Sequence, residues 1–353
     1  MDSIIEKTVP GSAHQSPSMP YNSVEQAHNQ IKQYIHKPPL ITSSTLNKLL
    51  GHEIYFKLES LQKTGSFKVR GILNALSNLQ KNNILPKKVV TYGTGNHAIA
   101  LSWACTNIFN IKAQAFLPCF TSEIKKDLIR LSDAEIIITE TRAEAEEKAV
   151  LASKEPGAIL LPPSDNEDVI IGAGTVAYEV FSEISDLDAI FVPIGGGSLS
   201  SGTLLARDLM SPTTEVYAGE PKDANDAAIS YRTGKIFRFR SSPRTIADGA
   251  RTLGISERVF HHIKKLSGIY EITEREIEYW TAWFTHLTKI SCEPTSALSI
   301  AAAYRFLRSQ TEPQKIAIII SGANVNQEAY QKIWSQNYLV TQPSDFNFEE
   351  ERE

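Results

Sequence analysis

The stretch TGSFKVRG at positions 64–71 decides the fold, because it joins a strand-like run, YFKLE at positions 55–59, to a helical pattern. Its lysine, Lys68, stands at the expected start of that helix. A lysine becomes a covalent catalyst when part of it is deprotonated, a state that burial and a nearby helix N-terminus promote. Taken alone, a lysine near a helix start is far more often a solvated surface charge. The stretch also lacks the GxxxxGK[ST] spacing of a nucleotide-binding phosphate loop.

Outward from this stretch, short apolar runs alternate with longer helical patterns along the chain. The predicted strands lie at residues 88–92, 113–117, 135–139, 189–193, 215–219 and 316–321. The predicted helices among them include residues 122–131, 142–152 and 199–209. Such alternation is typical of an α/β fold with parallel sheets.

Three of these strands run directly into glycine-bearing turns. The turns read GTGNH at positions 93–97, GGGS at positions 195–198 and SGAN at positions 321–324. Ligands of open α/β sheets bind at the carboxyl ends of the strands, so we predict one site where the three turns converge. Successive glycines before a helix let backbone N–H groups converge on a phosphate, although glycine triplets also occur as plain tight turns.

Composition sets limits on the class of protein. The chain has 353 residues, 42% of them hydrophobic and 22% charged, and a formal net charge of -4. These values exclude disorder and argue against a nucleic acid or membrane partner. We expect one large or two closely joined domains, and a cytoplasmic protein, since no signal peptide or membrane span is visible. Polar residues 1–20 and acidic residues 341–353 are predicted to be tails.

The metal-binding and redox-active residue types show no recognisable spacing. Cysteine occurs only at Cys105, Cys119 and Cys292, without a CxxC pair, so we expect no disulfide framework. Cys105 and Cys119 stand among apolar residues and are predicted to be small buried hydrophobes. The eight histidines lack an HExxH motif, so nothing favours zinc chemistry.

Taken together in order, the motifs resemble one known family. They are KLE at 57–59, TGSFKxRG at 64–71, GNHA at 95–98, GGGS at 195–198, EPT at 293–295 and SGAN at 321–324. The set resembles the pyridoxal-phosphate enzymes of fold type II (tryptophan synthase β-like), specifically the branch of serine/threonine dehydratases (threonine ammonia-lyases) and serine racemases. The resemblance spans about residues 22 to 340. It implies two domains, each with a mostly parallel open sheet flanked by helices: a large cofactor-binding domain of residues 21–88 plus 166–340 and a small domain of residues 89–165.

The resemblance also implies a role for individual residues. Lys68 would form the Schiff base with pyridoxal 5'-phosphate and act as the base at the substrate Cα, Phe67 would line the cofactor ring, and Ser321 would face its pyridine nitrogen. The phosphate would be held by Gly195, Gly196, Gly197, Ser198 and Leu199, with Ser198 in place of a fourth glycine. Asn96 would bind the 3-hydroxyl oxygen. The substrate carboxylate would be received by Thr94, Gly95, Asn96 and His97.

A further match is EPKDAND at positions 220–226. In the racemase branch this segment holds a divalent cation, and the resemblance places the ligands on Glu220, the backbone carbonyl of Ala224 and Asp226. Oxygen ligands of this kind suit Mg²⁺ or Ca²⁺. A solvated acidic loop after a strand is the alternative interpretation.

The activity that the resemblance implies is β-elimination of water from L-threonine or L-serine, giving a 2-oxo acid and ammonia. Racemases carry a serine as second proton carrier where this chain has Thr94, whose methyl group crowds the site, so racemisation is less favoured. Serine racemase and 3-hydroxyaspartate dehydratase stay open as alternatives, and a non-catalytic ligand- or partner-binding descendant is the alternative of another class. A small amino acid would be the substrate and a homodimer or tetramer the assembly. Since few residues follow the SGAN motif, we expect no regulatory domain after it.

Overall fold

The structure is a computed structural model, and it describes residues 23–347 of the chain. Its strands are β1 (Leu40–Thr42), β2 (Glu53–Leu58), β3 (Lys88–Tyr92), β4 (Lys112–Pro118), β5 (Glu135–Thr139), β6 (Ala158–Leu160), β7 (Ala189–Pro193), β8 (Glu215–Pro221), β9 (Gly268–Ile272) and β10 (Lys315–Ile320). Its α-helices are α1 (Val24–Ile31), α2 (Ser44–Leu50), α3 (Lys68–Lys81), α4 (Asn96–Ala104), α5 (Glu123–Arg130), α6 (Arg142–Ala152), α7 (Glu167–Glu183), α8 (Ser198–Met210), α9 (Asp226–Thr233), α10 (Glu257–Ile263), α11 (Glu274–Thr288), α12 (Pro294–Leu307) and α13 (Gln327–Trp334).

The strands form two open sheets. The larger has six strands in the order β1-β2-β10-β7-β8-β9, and the smaller has four in the order β5-β4-β3-β6. Every pairing is parallel except that of the edge strand β1, which runs antiparallel to β2. The predicted α/β class with mostly parallel open sheets is therefore confirmed.

Helices cover both faces of the larger sheet, and alternate residues of β10 pack against the helices on each face. Ile316, Ile318 and Ile320 belong to a core cluster that includes residues of α11 and α12. The alternate residues Ala317 and Ile319 belong to a second cluster with residues of α7 and α8. Side chains alternate between the faces of a strand, so a continuous apolar run is what a strand buried on both faces requires.

The smaller sheet draws all its strands from one part of the chain, between Lys88 and Leu160. This range agrees in extent with the predicted small domain at residues 89–165, and the domain boundaries themselves stay a prediction. The turn at the carboxyl end of β3, an inner strand of the smaller sheet, lies close to the turns after β7 and β10 of the larger sheet, since residues of all three turns line one cavity.

A buried ion network fixes the beginning of α3. The Arg70 guanidinium donates to both carboxylate oxygens of Glu59, at 2.8 Å each, and to both of Glu179, at 2.8 and 2.9 Å. Lys57 Nζ lies 2.6 Å from Glu179 Oε2, and the side chains of Lys57 and Arg70 are fully buried. Bidentate pairs of this kind fix geometry as well as charge. The network therefore holds β2, α3 and α7 together two residues beyond Lys68.

Two sequence predictions, one on the C-terminal tail and one on Cys119, need correction. The first part of the predicted acidic tail is packed, because Phe346 is only 3% exposed and its ring stacks on Tyr279 with 3.7 Å between centroids. Cys119 is exposed rather than buried, since it follows β4 at the end of the smaller sheet, whereas Cys105 is buried. All three cysteines are free. The predicted tail at residues 1–20 and the glutamates after position 348 lie outside the described residues.

Within residues 23–347, no helix combines the length and the apolar character needed to cross a membrane.

Candidate functional site

The residues predicted to bind cofactor and substrate all line one cavity. They are Phe67, Lys68, Thr94, Gly95, Asn96, His97, Gly195, Gly196, Gly197, Ser198, Leu199 and Ser321. The turns after β3, β7 and β10 supply most of them, as the carboxyl ends of parallel strands would predict. Which group each residue contacts stays a prediction, but the structure brings the whole set together.

Lys68 is the first residue of α3, and its loop is tied to the SGAN turn. Phe67 N donates to Ser321 O at 3.0 Å, and Ala323 N donates to Gly65 O at 2.8 Å. Gly65 has a φ of 69°, a conformation that suits glycine at this turn. The backbone therefore carries Lys68 into the cavity rather than to the outer surface.

The amine of Lys68 lies among neutral partners. Its Nζ donates to the carbonyl oxygen of Pro163 and to the hydroxyl of Ser198, at 3.2 Å each, and lies 4.8 Å from the ring centroid of Phe67. Burial, and to a smaller extent the positive charge of Arg142, lower the pKa of Lys68 to about 8, although the negative charge of Glu293 opposes the shift. With this pKa about a tenth of the amine is neutral at pH 7, far more than for an ordinary lysine, and a nucleophile or base requires that neutral form.

The glycine loop between β7 and α8 leaves no room for side chains. A Cβ on Gly195 would come within 2.7 Å of Ala250 Cα, and one on Gly196 within 2.7 Å of Ser164 Oγ. Gly197 has a φ of 84°, and the 13-residue helix α8 begins directly after it at Ser198. Free N–H groups at such a helix N-terminus form an anion site without a basic side chain. The loop fits a phosphate group.

The turn after β3 is held by Glu293, which directly precedes α12, and by Asn324, which follows β10. Asn96 Nδ2 donates to both carboxylate oxygens of Glu293 at 2.9 Å, and Asn96 Oδ1 accepts from Asn324 Nδ2 at 3.0 Å. The orientation of the Asn96 amide is fixed by these partners.

His97 is a buried, neutral member of the same turn. Its Nε2 lies 3.1 Å from the carbonyl oxygen of Leu161, while its Nδ1 is buried without a hydrogen-bond partner among the described residues. Burial, helped by the positive charge of Lys68, lowers the pKa of His97 to about 3. The imidazole therefore carries its proton on Nε2 and offers Nδ1 as an acceptor.

Ser321 directly follows β10 of the larger sheet and lines the cavity. Its Oγ lies 3.1 Å from Ser296 Oγ, and either hydroxyl can be the donor. Ser296 Oγ also lies 2.9 Å from Gly322 O and accepts from Gly322 N at 3.0 Å. The Ser321 hydroxyl can donate a hydrogen bond to a ring nitrogen or accept one from a protonated ring nitrogen. In either case the hydroxyl itself is uncharged.

Several residues of the cavity wall were not predicted from the sequence. Arg142, Thr252, Glu293 and Thr295 line the cavity, and of these only the EPT motif at 293–295 belonged to a recognised pattern, without a role. Arg142 begins α6, is 9% exposed, and donates from Nη1 to the carbonyl oxygen of Arg251 at 3.1 Å. An arginine that opens a helix looks like a surface charge, so no sequence signal distinguishes it.

The predicted cation ligands lie outside the cavity lining. Glu220 and Asp226 are fully buried; the Glu220 carboxylate accepts from Ala227 N at 2.9 Å and Ala228 N at 2.7 Å. Asp226 Oδ1 accepts from Thr252 Oγ1 at 2.8 Å, and Oδ2 has no hydrogen-bond partner among the described residues. Burial raises the pKa of Asp226 to about 6, and burial together with Asp226 raises that of Glu220 well above its usual value. Two buried carboxylates, of which Asp226 has an oxygen without a hydrogen-bond partner among the described residues, fit a divalent cation.

Comparison with known proteins gives both a family and individual relatives. The sequence profile described as pyridoxal-phosphate dependent enzyme matches residues 31–322. The chain is similar to the serine racemase of Schizosaccharomyces pombe, with 39% identity over 90% of this chain and 97% of the relative. It is similar to L-threo-3-hydroxyaspartate ammonia-lyase of Saccharomyces cerevisiae, with 36% identity over 88% and 94% of the two chains. Its fold is similar to the crystal structure of T.th. threonine deaminase, with a TM-score of 0.79, 35% identity, and 86% and 97% of the chains covered.

Proposed function

The chain belongs to the family of pyridoxal-phosphate dependent enzymes, and from this membership we propose that it is an ammonia-lyase acting on L-threonine or L-serine. The predicted resemblance is thereby confirmed at the level of the family. The proposed reaction removes water across Cα and Cβ; the unsaturated amine that leaves the site then hydrolyses to a 2-oxo acid and ammonia.

One observation carries the proposal: the Lys68 amine has neutral hydrogen-bond partners and lies in the same cavity as the glycine loop at residues 195–197. Burial lowers the pKa of Lys68 to about 8, and its Nζ is held by Pro163 O and Ser198 Oγ. An amine in this state can first attack a carbonyl group and later accept a proton at Nζ. Lys68 is thus proposed as both the Schiff-base residue and the base that takes the proton from the substrate Cα.

The residues around Lys68 fit the cofactor that the family implies. Gly195, Gly196, Gly197, Ser198 and Leu199 would hold the phosphate, Phe67 and Asn96 the ring, and Ser321 the pyridine nitrogen. Pyridoxal phosphate, when bound, supplies the electron sink for carbanion chemistry at Cα. The neutral hydroxyl of Ser321 would stabilise a protonated ring nitrogen less than a carboxylate would, which favours prompt loss of the β-hydroxyl over transamination.

Elimination rather than racemisation is supported by the hydrogen bond of Thr94. Its Oγ1 donates to the carbonyl oxygen of Asp248 at 3.1 Å. A racemase needs a second group that delivers a proton to Cα from the opposite face of the substrate. Because the proton of Thr94 is already engaged, we place racemisation second to elimination.

The experiment that tests the proposal compares the wild-type protein with Lys68→Ala. Each is incubated with L- and D-serine, L- and D-threonine and 3-hydroxyaspartate, and both 2-oxo acid and enantiomer formation are measured. We expect visible cofactor absorbance and 2-oxo acid from the L-amino acids with the wild type, and neither with Lys68→Ala. Racemisation without 2-oxo acid would overturn the lyase assignment.

A specific observation favours 3-hydroxyaspartate as a second candidate substrate. Arg142 lines the cavity, is nearly buried, and contacts a backbone carbonyl rather than a carboxylate in its one hydrogen bond within the described chain. A guanidinium in this state suits a second carboxylate on the substrate. Replacing Arg142 with Met should lower kcat/KM for 3-hydroxyaspartate by about 10- to 100-fold more than for L-threonine. Equal losses for both substrates would remove this candidate.

We further propose that Glu220, the carbonyl of Ala224 and Asp226 bind Mg²⁺ or Ca²⁺. The supporting observation is the buried carboxylate pair with the unpartnered Asp226 Oδ2. A cation would relieve the repulsion between the two carboxylates, so it should raise the melting temperature, and a chelator should lower it. A melting temperature that neither cation nor chelator changes would contradict this site.

The proposed enzyme is cytoplasmic and a homodimer or tetramer. The free thiols support a reducing compartment. The exposed apolar side chains Ile124 and Leu131 on and beside α5 support a surface covered by another chain. Cell fractionation and light scattering on the purified protein test these two statements, and a secreted or monomeric protein would contradict them.

A further inference from the structure

Lys125 is a buried lysine that the proposed chemistry does not use. It lies on α5, beside the smaller sheet, and is 1% exposed. Its Nζ lies 2.6 Å from Asp248 Oδ2 and 3.9 Å from Glu293 Oε2. A buried ammonium is costly unless it is paired, so its position between two carboxylates needs an explanation.

The stem of Lys125 passes directly against the turn that follows β3. A Cβ added to Gly95 would come within 2.5 Å of Lys125 Cδ and 3.0 Å of its Cβ. Gly95 also has a φ of 127°, so both space and conformation require glycine here. The backbone of the turn at Gly95 therefore packs directly against the aliphatic part of the Lys125 side chain.

The two carboxylate residues paired with Lys125 hold the residues on either side of Gly95. The carbonyl oxygen of Asp248 accepts from Thr94 Oγ1 at 3.1 Å. The carboxylate of Glu293 accepts from Asn96 Nδ2 at 2.9 Å with each oxygen. Thr94, Gly95 and Asn96 are thus each held by Lys125 or by one of its ion-pair partners.

The charge balance makes Lys125 necessary for this arrangement. Glu293 is 2% exposed, and burial raises its pKa, while the charge of Lys125 opposes that effect. Without Lys125 the pKa of Glu293 would rise further, and a protonated Glu293 would donate its O–H to an acceptor such as the Asn96 oxygen instead of only accepting from the Asn96 nitrogen. The Asn96 amide would then lose the orientation that Glu293 and Asn324 give it.

From these contacts we infer that Lys125 is a positioning residue that holds the turn at residues 94–97 in the shape that receives the α-carboxylate of the amino-acid substrate. The inference rests on the proposed function, because the turn is the proposed carboxylate site. It assigns to Lys125 two effects. Its stem supports Gly95, and its charge keeps the Glu293 carboxylate an acceptor for Asn96 and holds in place Asp248, whose backbone carbonyl accepts from Thr94. The cation also places positive charge beside the turn at residues 94–97.

The experiment compares Lys125→Met with Lys126→Met in the cofactor-loaded enzyme. Lys126 is the matched control, because it is the next residue of the same helix, is 7% exposed, and pairs with Glu123 at 2.7 Å instead of with the turn's partners. The substrates are L-serine and L-serinamide, which lacks the carboxylate. We expect Lys125→Met to raise KM for L-serine by about 10- to 100-fold with a much smaller change in kcat, and to weaken the preference for L-serine over L-serinamide.

Lys126→Met should leave both quantities within about threefold of wild type, since its pair is partly exposed and weak. Equal effects of the two substitutions, or a loss confined to kcat, would overturn the inference. If Lys125→Met does not fold, the double variant Lys125→Met/Glu293→Gln carries the same test, because it leaves no uncompensated charge at position 293. In that variant an unchanged preference for L-serine would also overturn the inference.

Failure of the proposed function is recognised separately. If the wild type forms no 2-oxo acid, the lyase proposal fails, and carboxylate recognition is then measured from the change in cofactor absorbance on titration with L-serine and L-serinamide. A wild type that responds to L-serine more strongly than to L-serinamide, together with a Lys125→Met variant that does not, supports the inference on its own. If the wild type and Lys125→Met show the same preference between L-serine and L-serinamide, the inference is overturned.

Discussion

The side-chain hydroxyl of Thr94 donates a hydrogen bond to the backbone carbonyl oxygen of Asp248 across the two sheets' turns, with 3.1 Å between the oxygens. Threonine is restricted about χ1 because two heavy atoms stand on its Cβ. The hydroxyl is therefore held toward Asp248 rather than free to turn to a substrate. This relationship makes Thr94 the residue on which the balance between elimination and racemisation depends.

Replacing Thr94 with Ser should raise the ratio of racemisation to elimination by about two- to tenfold, because the hydroxyl stays while the restriction about χ1 is relaxed. Chiral chromatography of residual serine, together with a 2-oxo acid assay, measures the ratio. Thr94→Val is the control, since it keeps the branched shape and removes the hydroxyl. Racemisation by Thr94→Val equal to that of Thr94→Ser would show that the residue is not the proton carrier.

A second prediction concerns the phosphate cradle. Gly197→Ala should weaken cofactor binding about tenfold or more, the equivalent of about 1.4 kcal/mol, because the added Cβ would lie 2.3 Å from Val259 Cγ1 and displace the start of α8. Titration of apoprotein with pyridoxal phosphate measures this. Gly51 is the matched control: its φ of 75° is as unusual as the 84° of Gly197, but a Cβ there meets nothing within 4 Å.

Gly51→Ala should cost only the conformational strain of about 1 kcal/mol, visible as a small fall in stability with unchanged cofactor affinity. Should the two alanine variants bind the cofactor equally well, the glycine loop would not be the phosphate site.

The sequence predicted the strands whose residues are buried on both faces, because a continuous apolar run bounded by glycine has few other interpretations. The run at 189–193 became β7 without a shift, and that at 316–321 became β10 one residue earlier. The short edge strands were missed: β1 and β6 have three residues each, and none of the residues of either is fully buried. Strand order also needs long-range pairings, such as Ile318 with Phe56, that no local pattern records.

The site was predictable to the extent that its residues are marked by glycine or by motif. The EPT motif marked Glu293 but not its role, and nothing marked Lys125, since each acts through partners far along the chain. Glu293 and its partner Asn96, for example, are 197 residues apart. The burial of Phe346 was missed for a similar reason. Its partner Tyr279 lies on α11, and a lone aromatic residue beside an acidic run looks like part of a solvated tail.

A third prediction concerns stability. Lys57→Met should lower the free energy of unfolding by about 3–5 kcal/mol, because it leaves part of the charge of buried Glu179 without its 2.6 Å partner. Lys148→Met is the control, since Lys148 pairs with Glu144 on the exposed face of α6 and should contribute less than about 0.5 kcal/mol. Urea denaturation at pH 7 measures both. Similar losses in the two variants would mean that the buried ion pair contributes no more to the free energy of unfolding than the exposed one.

The last prediction follows from the pKa of Lys68 in the apoprotein. That pKa is about 8 in the folded chain, against 10.5 for an ordinary lysine such as the unfolded chain presents. Below pH 8 both states are protonated, so folding carries the full cost of a charge in the cavity wall. Between pH 8 and 10.5 the folded state loses the proton while the unfolded state keeps it. Since the unfolded state then binds more protons, the contribution of Lys68 to stability rises with pH.

The apoprotein should therefore gain stability relative to Lys68→Met on going from pH 7 to pH 10, by on the order of 2 kcal/mol, because each unit of pKa shift corresponds to about 1.4 kcal/mol and the amine borders an open cavity. Urea denaturation of both apoproteins at intervals of one pH unit measures the difference, and taking the difference removes the titration of all other groups. Parallel pH profiles would mean that Lys68 keeps an ordinary pKa, and its proposed role as the base at Cα would lose its physical support.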